Sequence, residues 1–166
     1  MPRLERIQPC LWFDSQAEEA ARQYTAIFPN SRIGAITRYT EVGQELHRKA
    51  PGTAMTLELE LDGQSLLALN GGPQFRFTEA ISLIVHCDSQ AEIDHYWARL
   101  GEGGDPAAQQ CGWLKDRFGL SWQIVPRRWS EMMASSNTAG IQCALALMFT
   151  MQKLDMDALQ RAYDGA

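Results

Sequence analysis

A chain of 166 residues, 45% of them hydrophobic, is long enough to bury one real core. Its 20 acidic and 15 basic residues leave a net charge of −5 with no basic run, which argues against a nucleic-acid surface. Four scattered cysteines without a C-x-x-C point away from a disulfide framework. The polar start Met1-Pro2-Arg3-Leu4-Glu5-Arg6 and the short longest apolar stretch, Cys143 to Phe149, point away from a leader and a membrane span, so the expectation is a cytoplasmic single domain over residues 1–166.

Gln8 to Phe13 reads as a strand, followed by Asp14-Ser15-Gln16-Ala17-Glu18 and a helix from Ala17 to about Phe28 that stops at Pro29-Asn30. Ile33 to Thr40 is rich in β-formers. Thr53 to Leu61 sets Met55, Leu57, Leu59 and Leu61 against Thr56, Glu58 and Glu60, the period of a half-buried strand. Asp62-Gly63 is a two-residue hairpin signal, after which Gln64 to Asn70 returns antiparallel. Residues of about 5–72 thus form a β-α-β-β-β module, and Gly71-Gly72-Pro73 is a turn-rich link.

The pentapeptide then recurs as Asp88-Ser89-Gln90-Ala91-Glu92, 74 residues further on. Solenoid repeats run to roughly 20–50 residues, so this offset implies a duplicated half-domain. Ser15-x-x-Glu18 and Ser89-x-x-Glu92 both fit a capping box, which predicts that each pentapeptide opens a helix and serves structure, not catalysis. The second module, about 78–126, reads as a strand from Ala80 to Cys87 and a helix from Gln90 to Leu100. A loop through Gly101, Gly103, Gly104, Asp105 and Pro106 follows, then a short second strand near Gln109. Gly112 to Asp116 and Leu120 to Pro126 close the module as a hairpin. An extension over 127–166 reads as helices at Trp129 to Ala134, Gly140 to Lys153 and Asp155 to Tyr163, with Asp155 as an N-cap. Its Ala144, Leu145, Leu147 and Met148 are expected to pack on the domain or on a partner subunit.

Several stretches together carry a family resemblance: Pro9-Cys10-Leu11-Trp12-Phe13-Asp14 with Glu19, Ala20, Ala21 and Tyr24; Ile27-Phe28-Pro29-Asn30-Ser31; and Leu67-Ala68-Leu69-Asn70-Gly71-Gly72-Pro73. The most specific are Phe75-x-Phe77-x-Glu79-Ala80-x-Ser82 and the run from Cys111-Gly112-Trp113 to Ile124-Val125-Pro126. The chain resembles the PhnB-like group of the vicinal oxygen chelate (glyoxalase/bleomycin-resistance) superfamily, whose members are often labelled 3-demethylubiquinone-9 3-methyltransferase-like. The resemblance implies an α+β fold in which two tandem βαβββ modules form a glyoxalase-like curved mixed sheet around a cleft, with helices at the C-terminus.

Metal enzymes of that superfamily carry His or Glu ligands on the first and last strands of each module. Aligned by the strand-to-helix junctions, those places fall on Gln8, Ala68 or Asn70, Ser82 and Gln123, which are poor ligands for a catalytic divalent ion. The expectation is therefore no metal and no cofactor. Strand alternation puts Gln8, Cys10 and Trp12 on one side of the first strand and Ser82, Ile84 and His86 on one side of the fifth. Asn70 shares a side with Leu66 and Ala68, and Gln123 with Ser121 and Val125. Gln8, Trp12, Asn70, Ser82 and Gln123 are the expected ligand pocket, with Glu58 and His86 as candidate acid–base groups. His47 falls in a loop and His95 on a helix, Trp113 and Trp122 suit a core or subunit contact, and Cys10 suits apolar packing.

The methyltransferase label has no support in a methyl-donor motif, because Gly71-Gly72 and Gly103-Gly104 do not lie between a strand and a helix of a parallel α/β unit. The reading is a metal-independent protein or enzyme that takes a small-molecule ligand and works as a homodimer, with no nucleic-acid or membrane partner. Two alternatives stay open: a glyoxalase- or dioxygenase-type metal enzyme with unusual ligands, and a resistance-type protein that sequesters its ligand. Whether any reaction is catalysed is open as well.

Overall fold

The computed structural model describes residues 6–165, which fall into two compact units, Met1–Phe77 and Thr78–Ala166. The division lies where the sequence places the link between the repeats.

The first unit is a four-stranded mixed sheet with one covering helix. Strand β1 (Cys10–Phe13) leads into helix α1 (Ala17–Ile27), and strands β2 (Arg32–Arg38), β3 (Ala54–Leu61) and β4 (Gln64–Asn70) follow in the order β1-β4-β3-β2. β1 and β4 run parallel, Cys10 opposite Leu67 and Phe13 opposite Asn70, whereas β3 pairs antiparallel with both neighbours. The alternation in β3 sorts as expected, with Leu57, Leu59 and Leu61 buried and Glu58 and Glu60 half-exposed. The Asp62-Gly63 hairpin forms with both residues at positive φ, 44° and 86°, as a type I′ turn demands. Leu11, Phe13, Leu57, Leu66 and Ala68 are buried on the helix side, and α1 meets them with Ala17, Ala20, Ala21 and Tyr24. Small residues at three of those positions let the helix lie close to the sheet, where each buried leucine contributes about 2 kcal/mol. A short helix α2 (Gln44–His47), too short to show a helical period in the sequence, carries His47.

The second unit holds a three-stranded sheet, β5 (Ser82–Cys87), β7 (Ser121–Pro126) and β6 (Trp113–Lys115) in that order, with β5 and β7 parallel. Helix α3 (Gln90–Gly101) packs Ile93 and Leu100 into a core with Cys87, Leu114, Trp122 and Ile124. The second strand expected near Gln109 is replaced, among the described residues, by a 3-10 turn at Pro106–Ala108 and a single bridge from Gln110 to Trp113. The loop's glycines and Pro106 deny that segment a continuous ladder. Helices α4 (Arg127–Met133), α5 (Thr138–Met148) and α6 (Met156–Asp164) complete this unit, with Asp155 capping α6 through Ala158 N as predicted. α5 ends five residues earlier than the expected Lys153. The segment after it docks on its own unit: Met151 O and Gln152 O accept from Cys111 N and Gly112 N.

The two copies of the pentapeptide start their helices by different means. At α3, Ser89 Oγ accepts from Glu92 N at 3.2 Å and Glu92 Oε2 accepts from Asp88 N at 2.6 Å, a capping box shifted back by one donor. At α1 no side chain of the pentapeptide caps; Asn70 Oδ1, from the end of β4, accepts from Ala17 N at 2.8 Å. The register explains the difference, since Pro126 stands opposite Cys87 where Asn70 stands opposite Phe13, and proline has no amide side chain to offer. Asn70→Ala should lower the stability of the protein by about 3 kcal/mol, because two buried backbone groups lose their partner. Ser89→Ala should cost about 1 kcal/mol. Urea unfolding of both variants compares them, and equal losses would show that Asn70 is not the cap it looks to be.

Candidate functional site

Each sheet has one face covered by helix and one open, and the strand registers define what the open faces carry. In the first unit, Cys10, Leu67 and Glu58 form one row across β1, β4 and β3, and Trp12, Leu69, Thr56 and Thr37 form the next. Gln8 lies half-buried just ahead of β1. Asn70 is not on this face. It is 2% exposed on the helix side, where its Nδ2 donates to Ala54 O at 3.0 Å and its backbone oxygen accepts from Tyr39 Oη at 2.7 Å. The sequence grouped Asn70 correctly with Leu66 and Ala68, but that group faces α1. Both its amide oxygen and its amide nitrogen are engaged in holding the unit together.

Trp12 is fixed in place. Its indole Nε1 donates to Gly72 O at 2.8 Å, and Phe75 meets the ring edge-on, with centroids 4.9 Å apart and planes at 78°. A Cβ on Gly71 would stand 2.3 Å from the ring, so only glycine admits the indole there. Phe75 is 64% exposed, which leaves a flat aromatic pair at the margin of the sheet. Glu58 lies half-exposed beside the β2 irregularity, its Oε2 3.4 Å from Ala35 N, and among the described residues no histidine or second carboxylate is bonded to it. The Cys10 thiol keeps some exposure, yet desolvation by its neighbours raises its pKa, away from the thiolate a nucleophile requires.

In the second unit the open face carries Ser82, Ile84 and His86 on β5, Ser121, Gln123 and Val125 on β7, and Trp113 and Lys115 on β6. Gln123 Nε2 donates to Ser82 Oγ at 2.8 Å, so the structure joins these two expected pocket residues directly. Ile84 is 52% exposed beside them. His86 is exposed at the far end of β5, opposite Val125, with no carboxylate bonded to its ring among the described residues. The sequence reading set Ser121 beside Gln123 without giving it a role and gave none to Lys115; Lys115 is ion-paired to Glu79, and Ser121 is 1% exposed with an Oγ that has no hydrogen-bond partner among the described residues. A buried hydroxyl left unpaired costs about 1–3 kcal/mol. Trp122 lies in the core as expected, its indole donating to Asp116 Oδ2 at 2.8 Å. Asp116 Oδ1 takes the amides of Phe118 and Leu120 and so shapes the turn between β6 and β7.

The positions where the resemblance would put metal ligands do not suit a divalent ion. Ala68 offers no donor atom, the Asn70 amide is engaged, and Ser82 and Gln123 are neutral and bonded to each other. Among the described residues no three His, Cys, Asp or Glu side chains gather as a metal-binding group. A crevice among Pro126, Trp129, Met132 and Leu159 holds about 10 Å³, room for one water. Among the described residues no helix is long and apolar enough to cross a membrane.

Over residues 5–125 the chain matches the family described as 3-demethylubiquinone-9 3-methyltransferase. A PhnB protein from Bacillus cereus that carries the same designation is 33% identical, with a TM-score of 0.62 over 74% of this chain and 99% of its own. The protein PA1353 from Pseudomonas aeruginosa is 23% identical, with a TM-score of 0.56 over 74% of this chain and 98% of its own. A glyoxylase/bleomycin resistance protein/dioxygenase domain from Frankia sp. EAN1pec is 16% identical, with a TM-score of 0.47 over 74% of this chain and 92% of its own. No curated protein matches the chain.

Two measurements test the local chemistry. Gly71→Ala should destabilise the protein by about 2 kcal/mol through overpacking, and most of that cost should vanish in a Trp12→Ala background. A cost that persists without the indole would mean that the added methyl meets something else. The Cys87 thiol is pushed up to about 12 by burial and then by Glu92 and Asp88, so it should resist iodoacetamide at pH 8 until the protein is unfolded. Exposed Cys143 should be alkylated in the native state, and equal labelling rates at the two sites would contradict the burial of Cys87.

Proposed function

The chain belongs to the PhnB-like, 3-demethylubiquinone-9 3-methyltransferase family, and on that footing we propose that it binds a small, partly flat and partly polar molecule without a divalent metal. The observation that supports this most is the Ser82–Gln123 hydrogen bond. At positions where metal enzymes of the fold hold ligands, this chain has two neutral groups that satisfy each other. Around them Ile84, Trp113 and Val125 offer apolar surface, the mixture of a few placed polar groups among apolar walls that suits a small organic ligand. In the first unit the Trp12–Phe75 pair offers an aromatic wall of the same character. In the second unit the bound molecule is kept by hydrogen bonds from Gln123 and Ser82 and by contact with the Trp113 ring, and the protein acts as a homodimer in the cytoplasm.

Methyl transfer is not part of this reading. Gly71 and Gly72 follow β4 and lead into an irregular segment, and Gly103 and Gly104 follow α3, so neither pair opens a helix after a strand in the way a methyl-donor loop does. Protein purified without chelator should contain substoichiometric zinc, manganese, iron and nickel. On denaturation it should release a small organic molecule that is much reduced in Gln123→Ala. A stoichiometric divalent ion whose removal abolishes ligand retention would overturn the proposal. Recovery of that molecule unchanged after long incubation with the native protein would identify binding without chemistry.

A further inference from the structure

On the open face of the second unit, Ser82, Ser121 and Lys115 stand in one row, since Ser121 is the register partner of both Ser82 on β5 and Lys115 on β6. Paired residues of neighbouring strands project to the same side, so two hydroxyls and an ammonium lie side by side, the middle one buried. Their present bonds are unequal. Ser82 Oγ takes the Gln123 amide and keeps its own proton to donate. Ser121 is 1% exposed, and its Oγ has no partner among the described residues. Lys115 is held by Glu79, a carboxylate 63% exposed on the irregular stretch ahead of β5.

Glu79 is thus an anion already resting on this row, attached by one surface ion pair of the kind worth little net stability. Lys115, through its hydrogen bond, holds the Glu79 carboxyl below its ordinary value, so the resident anion is ionised at neutral pH. The ammonium can only donate and both hydroxyls have a proton to donate, so the row suits a carboxylate or phosphate, and the fixed positive charge of Lys115 disfavours a cation. We propose that Lys115, Ser121 and Ser82 form a subsite for an oxyanion carried by the ligand, which displaces Glu79 from Lys115 and accepts the unpartnered Ser121 hydroxyl. The subsite deepens the small-molecule reading above and rests on it: the polar part of the ligand is its anionic end. Glu79 acts as a built-in competitor that keeps the lysine paired until a better anion arrives.

Inorganic phosphate and acetate serve as probes, with binding to the full chain followed by calorimetry and by ³¹P NMR for phosphate. Glu79→Gln should bind at least one of the two about tenfold more tightly than the native chain, because the internal competitor has lost its charge. Adding Lys115→Gln to Glu79→Gln should abolish the gain, and adding Ser121→Ala should weaken it severalfold. Ser121→Ala alone should leave the melting temperature without anion unchanged or higher, since it removes a buried unpaired hydroxyl. A merely structural serine would lower it. The proposal is overturned if Glu79→Gln binds both probes no better than the native chain, or if Ser121→Ala lowers the melting temperature and leaves anion binding intact. In either case, continued release of an organic molecule by the native chain would leave the small-molecule reading standing. Tighter phosphate or acetate binding with no organic molecule released would uphold the subsite and count against that reading.

Discussion

The first unit depends on one amide side chain. Parallel pairing of β1 with β4 brings the ends of both strands to the same edge, where α1 must begin, and Asn70 sits at that edge with one acceptor and two donors. Its Oδ1 accepts from the first free amide of α1, its Nδ2 donates to Ala54 at the start of β3, and its backbone oxygen accepts from Tyr39 Oη. Helix, hairpin and the end of β2 are thereby tied to one residue. In the second unit Pro126 has the equivalent place and offers none of this, so the helix start is capped locally by Ser89 and Glu92. Gln90 has another task there: its amide takes Met156 N and donates to Leu154 O, which pins the C-terminal helices to α3. Gln16, the same letter in the first copy, makes no such cap. The duplication kept the letters and redistributed the work.

Much of the fold was legible because its signals are periodic and local. The β3–β4 hairpin follows from strict alternation and a turn dipeptide that tolerates positive φ, and α6 begins where Asp155 can accept an amide. What failed lacked contrast. β4 is apolar on both sides, with Leu66 and Ala68 against Leu67 and Leu69, so alternation divides its residues into two sets without saying which set meets the helix. Asn70 went to the wrong face for that reason. The expected second strand of the second module was lost to glycines and a proline whose effect outweighs the pattern of a duplicated partner. The role of Ser121 was hidden for a different reason: alternation sets it beside Gln123, but a serine between Leu120 and Trp122 carries no sign of whether its hydroxyl will find a partner, which is a property of packing alone.

The same contrast runs through the chemistry. The family designation names a methyl transfer, yet Ser82 and Gln123 bond to each other and the Asn70 amide bonds to the backbone. In the first unit, by itself, the Trp12–Phe75 pair is an aromatic surface held rigid by a glycine turn. A rigid aromatic wall loses little conformational entropy on binding, which favours selectivity among flat molecules over adaptability.

The two ways of capping also set the two helices on different clocks. The cap of α3 spans three residues of sequence, so it can form as soon as that turn closes. The cap of α1 comes from 53 residues away, after β2, β3 and the Asp62-Gly63 hairpin have been made. Closing so long a loop is entropically unfavourable until the sheet contacts reward it. The first helix, though earlier in the chain, therefore gains its full definition only once β4 has found β1, and the order of synthesis and the order of consolidation run in opposite senses within the first unit.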